Sequence, residues 1–146
     1  MVRHEFTFLA MAQTVLIIDS SRAARKMLEV KLKAHGVEVI HAASANQALA
    51  KLHRHEISLI TTAKALPDEN CAAFIAEIRK THGFENTPII VLTGDEVDAS
   101  SFDPGLQINR ICQKSLGIGP LTDCILETLA ESPESSQILR NFMPVI

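Results

Sequence analysis

Residues 57–70 read ISLITTAKALPDEN, and the junction inside them decides the fold. Ile57 to Thr62 is a short apolar and β-branched run of the kind that forms a strand covered on both faces. Leu66-Pro67-Asp68 supplies a turn, and Cys71, Phe74, Ile75 and Ile78 then keep the three-four spacing of a one-sided helix that stops near Gly83. The strand delivers Thr62-Ala63-Lys64 to its end, and none of these offers a carboxylate nucleophile.

The same strand-turn-helix unit recurs on either side. TVLIID (14–19) reads as a strand; Ser20 or Ser21 caps a helix in which Ala24, Met27, Leu28, Lys31 and Leu32 share one face, and Gly36 ends it. VEVIHA (37–42) is a second strand, followed by a Ser44/Gln47 capping box and a helix striped by Ala45, Ala48, Leu49 and Leu52. PIIVLT (88–93) is a fourth strand. The acidic, turn-rich GDEVDASSFDPG (94–105) predicts only a short or irregular helix. INRIC (108–112) closes the set of strands, and Leu121, Cys124, Ile125, Thr128 and Leu129 stripe a last helix beginning near Gly119-Pro120. Strands alternating with helices through short connections predict an α/β fold, with a parallel sheet covered on both faces and ligand chemistry at the strands' C-terminal ends.

Composition narrows the function. A chain of 146 residues, 47% hydrophobic, is enough for one domain with a real core. The net charge of -3 and the lack of any Lys/Arg run remove the main driving force for nucleic-acid binding. No stretch reaches the roughly 18–20 apolar residues of a membrane helix. Three cysteines with no C-x-x-C pair give neither a disulfide framework nor a zinc site, which fits a reducing, cytoplasmic setting. Cys112 and Cys124 read as core; Cys71, at a helix start, is either core or a reactive thiol. Residues 1–12 read as an N-terminal extension, too short and too interrupted by Glu5 for a signal peptide, with Met11 an alternative start. The domain spans 13–131. Residues 132–146 shift from Ser, Pro and Glu to apolar Ile138, Leu139, Phe142 and Met143, as a linker leading to a further domain or to a partner contact.

Residues 14–130 resemble the receiver domain of bacterial response regulators. VLIIDSSRAARKML is similar to the family's first strand, acidic pair and first helix, LPDENCAAFIAEIRK to its proline turn and third helix, PIIVLTGDE to its fourth strand with a switch threonine at Thr93, and CQKS to its fifth strand with a lysine at Lys114. The resemblance implies a flavodoxin-like (βα)5 sheet, doubly wound, in strand order 2-1-3-4-5. It also implies a phosphoryl-accepting aspartate four residues before the turn proline, served by Mg²⁺.

At that position this chain has Ala63, whose methyl group cannot attack phosphorus. The acidic pair is reduced to Asp19-Ser20, one carboxylate where a hard octahedral cation wants several oxygens. Ile111 stands where the family has its aromatic switch residue, and Ser115 where it has a proline. The expectation is a receiver with no catalytic residue, no metal and no cofactor, whose remnant site comprises Ala63, Asp19, Ser20, Thr93, Lys114 and Ile111. Lys114, deprived of a phosphate, is expected to pair with Asp19. Lys64 adds a second cation beside Ala63, read as solvent-facing in preference to an anion site. Asp68, Glu69 and Asp95 are the remaining acids near the cleft, none at the acceptor position.

Other chemistries fit less well. The histidines at 35, 41, 53, 55 and 82 include no pair at i, i+4 spacing, and no G-x-S-x-G elbow is present. A flavodoxin-like cofactor binder or enzyme of the same topology is the alternative, opposed by the lack of a phosphate loop after the first strand and of any Tyr or Trp to stack on a flavin. The expected function is therefore signalling by protein-protein contact, with an attached output domain or a separate protein. The family's fourth-helix, fifth-strand, fifth-helix face, here roughly 97–130, offers a homodimer or docking surface with Ile108, Ile111, Leu116, Ile118 and Leu121 as anchors.

Overall fold

The computed structural model describes residues 13–94 and 102–131. Five strands, β1 (Thr14–Ile18), β2 (Glu38–Ala42), β3 (Leu59–Ala63), β4 (Ile89–Thr93) and β5 (Arg110–Gln113), form one parallel sheet in the order β2-β1-β3-β4-β5. Between and after them run α1 (Arg22–Ala34), α2 (Ala45–Leu52), α3 (Cys71–Lys80) and α4 (Ile118–Glu131), with 3₁₀ turns at Pro104–Leu106 and Lys114–Leu116. The fold class and strand order are those expected from the sequence. The N-terminal extension, the tail and residues 95–101 of the fourth crossover, including Asp95, lie outside the described residues.

Local chemistry sets the helix ends. The Ser21 hydroxyl accepts from the Ala24 amide at 3.1 Å, Ser44 accepts from Gln47 N at 3.2 Å, and Asn70 Oδ1 accepts from Ala73 N at 3.2 Å. Each satisfies an amide that has no partner inside its own helix. The reciprocal half of the expected capping box is displaced by one residue: Gln47 Oε1 accepts from Ala43 N at 2.8 Å, ahead of the N-cap Ser44. Gly36, at φ 81°, takes the left-handed conformation that ends α1.

Strand alternation divides the core into two halves. Leu16, Ile18, Ile60, Ile89 and Val91 face α2 and α3, where Phe74, Ile75 and Ile78 are fully buried. Val15, Ile17, Leu59, Ile90 and Leu92 face α1 and α4 and pack on Leu28, Leu32, Leu121 and Ile125. A sheet buried on both faces explains why its strands read as continuous apolar runs. Cutting Ile78 to alanine in such a site costs about 2–5 kcal/mol.

The structure corrects the stripe expected for α1. Met27 is 55% exposed and Lys31 also faces solvent, while Glu29, which the pattern left out, is 8% exposed. The last helix starts at Ile118, ahead of Gly119-Pro120. Strand β3 extends one residue beyond Thr62, so Ala63 is part of the ladder, opposite Leu92. Leu121, offered as a surface anchor, is buried at 6% exposure.

Arg79 fastens the described end of the fourth crossover. Its guanidinium donates to four backbone carbonyls, Leu106 at 2.9 Å, Gln107 at 2.8 Å, Phe84 at 3.1 Å and Thr87 at 2.6 Å. Gln107 sits just beyond the 3₁₀ turn at φ 56°. A planar fork with five donors suits this arrangement as a lysine could not.

Candidate functional site

The parallel sheet brings four of the predicted residues to one edge, and Ile111 lies within β5 instead. Register pairs Ile18 with Ala42 and Thr62, Ala63 with Leu92, and Thr93 with Gln113, so Asp19, Ala63, Thr93 and Lys114 all stand at the C-terminal ends of their strands. Ala63 is 4% exposed and presents a methyl group. By strand alternation Thr61 and Ala63 continue the row begun by Leu59, which packs toward α1 and α4, whereas Thr93 continues the opposite row of Ile89 and Val91.

Asp19 is the best-held group in the site. Its Oδ2 receives Lys114 Nζ at 2.5 Å and its Oδ1 receives the Ser21 amide at 2.9 Å. Its own carbonyl accepts from Arg25 Nη1 at 2.5 Å. Lys114 is the cation that the sequence reading assigned to Asp19, and its side chain is 37% exposed against 8% for the acid. Ser20 is exposed, and Ile111 is half-buried against the α2–α3 half of the core. Lys64 is exposed, as expected.

From Asp19 a polar chain runs to a second, unforeseen cluster. Arg25 Nε donates to His41 Nδ1 at 3.3 Å, and His41 Nε2 meets Glu29 Oε2 at 3.0 Å. Arginine has no acceptor, so Nδ1 must accept and the proton sits on Nε2, donated to Glu29. Lys26 at 2.9 Å and Lys33 at 3.6 Å complete the shell around Glu29. The Lys26 hydrogen bond, then that of His41, hold the Glu29 carboxyl down at about 2, against an opposing push from burial. The lysines at i-3 and i+4 were legible signals; the histidine on β2 was not, because its partnership is long-range.

Asp68 has a structural task. Its two oxygens accept the amides of Ala45 and Asn46, each at 2.9 Å, capping α2 from a loop more than twenty residues away. The Asn46 and Ala45 amides lower its carboxyl from the ordinary value.

A cleft of about 210 Å³ opens beside the ion pair, lined by Asp19, Lys114, Met27, Leu92, Ile118 and Leu121 among others. Its walls are mainly apolar and Ala63 is not part of them. The donor set does not fit Mg²⁺. Asp19 is engaged at both oxygens, and among the described residues no three His, Cys, Asp or Glu side chains are grouped as metal ligands.

Beneath the site, the Thr61 hydroxyl is fully buried and has no hydrogen-bond partner among the described residues. Cys71 is buried, and burial pushes its thiol up to about 11, which fits core better than a reactive thiol. Cys112 and Cys124 depart from the core reading: both are half-buried, and their sulfurs lie 2.9 Å apart. Among the described residues no helix is long and apolar enough to cross a membrane.

Comparison with known proteins adds four findings. The family model of the response regulator receiver domain matches residues 15–114. A curated relative, the probable transcriptional regulator ycf27 of Porphyridium aerugineum, is 30% identical over 96 residues, a match covering 66% of this chain but only 38% of that protein. Among solved structures, a response regulator receiver protein from Pseudomonas putida is 26% identical with a TM-score of 0.70, covering 79% of this chain and 96% of its own. The chemotaxis response regulator CheY4 of Vibrio cholerae, at 23% identity and a TM-score of 0.73 over 80% of this chain and 98% of its own, shares the fold.

Proposed function

The chain belongs to the response regulator receiver domain family, and from that premise we propose that it is a receiver that takes no phosphoryl group and signals by docking. Ala63 carries this reading. It ends β3 at the turn side of the sheet, four positions before Pro67, and a methyl group there cannot form an acyl phosphate. The ion pair supports it from the other side. The carboxylate of Asp19 is already engaged by an ammonium, which leaves it less available to a divalent cation.

The domain then works in the cytoplasm as a non-enzymatic module whose output lies in another domain or protein. The relative from Porphyridium aerugineum is a probable transcriptional regulator of which the matched segment is a minority, so in that protein the receiver-like part is accompanied by other chain. The working face is that of β5 and α4. Leu116, 57% exposed, with half-buried Ile108, Ile111 and Ile118, forms its apolar part, and a second copy or an output domain is its partner.

The test is phosphoryl transfer from a small acyl phosphate donor carrying radiolabelled phosphorus, with Mg²⁺, followed by gel autoradiography. No label is expected on the full chain under conditions that label an active receiver. Label released by hydroxylamine, the mark of an acyl phosphate, would overturn the reading.

A further inference from the structure

Two half-buried thiols meet where the last strand and the last helix pack. Cys112 lies on β5 opposite Leu92, in the half of the core shared with α1 and α4, and Cys124 comes from α4. Their sulfurs are 2.9 Å apart across twelve positions of sequence. A disulfide needs about 2.05 Å, so less than about 1 Å of approach would close one. Burial, and then the neighbouring Cys112, push the Cys124 thiol up to about 12, so it holds its proton at neutral pH.

We propose that Cys112 and Cys124 are a redox pair, closing to a reversible disulfide that ties β5 to α4. With a low-molecular-weight disulfide as oxidant, Cys112 gives its proton to solvent and its sulfur attacks one oxidant sulfur, breaks that S–S bond and expels a thiolate, which takes up a proton. Cys124 then loses its proton to solvent and attacks the Cys112 sulfur of the mixed disulfide, expelling a second thiolate. The two cysteines lose two electrons and the oxidant gains them, becoming two thiols. The bond forms two residues before Lys114, on the strand that carries the cation of the Asp19 pair, and would fix the β5–α4 face in one arrangement. This inference stands on the thiol geometry and does not depend on whether the domain accepts phosphate.

The experiment equilibrates the full chain with mixtures of oxidised and reduced glutathione, quenches in acid, alkylates remaining thiols in denaturant, and reads intact mass and peptide maps. The expected product has lost two hydrogens, joins the peptides bearing Cys112 and Cys124, leaves Cys71 to be alkylated, and reverts in dithiothreitol. Its thermal midpoint should exceed that of the reduced chain. Cys124→Ser should stop at a glutathione adduct on Cys112. Three alkylated thiols at every glutathione ratio, an unresolved adduct on the unsubstituted chain, or cross-links between chains only would each overturn the proposal without bearing on the phosphoryl-transfer test.

Discussion

The ammonium of Lys114 lies 2.5 Å from Oδ2 of Asp19, joining residues 95 positions apart at the C-terminal ends of β1 and β5. The acid, 8% exposed, is largely desolvated, whereas the lysine at 37% exposure keeps access to water. That balance places the pair between a surface bridge and a buried one. In a cycle of Asp19→Ala, Lys114→Ala and the double variant, a coupling of about 1–2 kcal/mol is expected. The cycle matters because Asp19 also accepts from Ser21, so its single truncation costs more than the pair alone. Additive urea-unfolding energies would remove the pair as a stabilising contact.

Glu29 gives the fold a defined acid limit. Its carboxyl is held down at about 2, against an ordinary value of 4.5, first by Lys26 and then by His41. A depressed carboxyl stabilises the folded state above its unfolded value and loses that contribution as pH falls through its folded value. Glu29→Gln should therefore lower stability between about pH 5 and 7 by roughly 1–3 kcal/mol, with the gap from the unsubstituted chain closing between pH 4.5 and about 2. Urea midpoints of both proteins across that range measure it. A gap independent of pH would mean that Glu29 contributes shape and not charge.

What the sequence disclosed and what it hid divide along a physical line. TVLIID and PIIVLT declare strands because both faces of the sheet are covered, and the caps at Ser21 and Ser44 act within three residues of themselves. The expectation at Ala63 comes from counting back from Pro67 along a resembling family, and the pairing of Lys114 with Asp19, which the structure shows, comes by the same route. Glu29, Arg79 and the Cys112–Cys124 pair escaped because their partners lie elsewhere in the chain: a histidine on β2, carbonyls 27 and 28 positions on, a thiol twelve positions away. Periodicity reports which side of a helix is apolar; it cannot report an acid buried because another element supplies its donors.

Thr61 presents the reverse case, a buried hydroxyl without a partner among the described residues. Leaving such a group unmatched costs about 1–3 kcal/mol. Thr61→Val keeps the branched shape and β-propensity and removes the unmet polarity, so thermal unfolding should show a gain of about 1 kcal/mol. A loss of stability would mean that a trapped water satisfies the hydroxyl.

Introducing carboxylates at Ala63 and Ser20 tests whether these positions face one site with Asp19. In Ala63→Asp with Ser20→Asp, carboxylates enter at the end of β3 and beside Asp19, so three acids converge on one edge of the sheet. The mutual repulsion of three carboxylates is relieved by a divalent cation, and Lys114, now facing several anions, can no longer neutralise the site alone. Calorimetric titration with Mg²⁺ should show binding in the double variant and none in the unsubstituted chain. Ala63→Asp alone, with two carboxylates, should bind more weakly than the double variant. Silence from the double variant, if circular dichroism shows it folded, would place the new acids outside one coordination sphere and would remove the geometric basis for reading Ala63 as the vacated acceptor position.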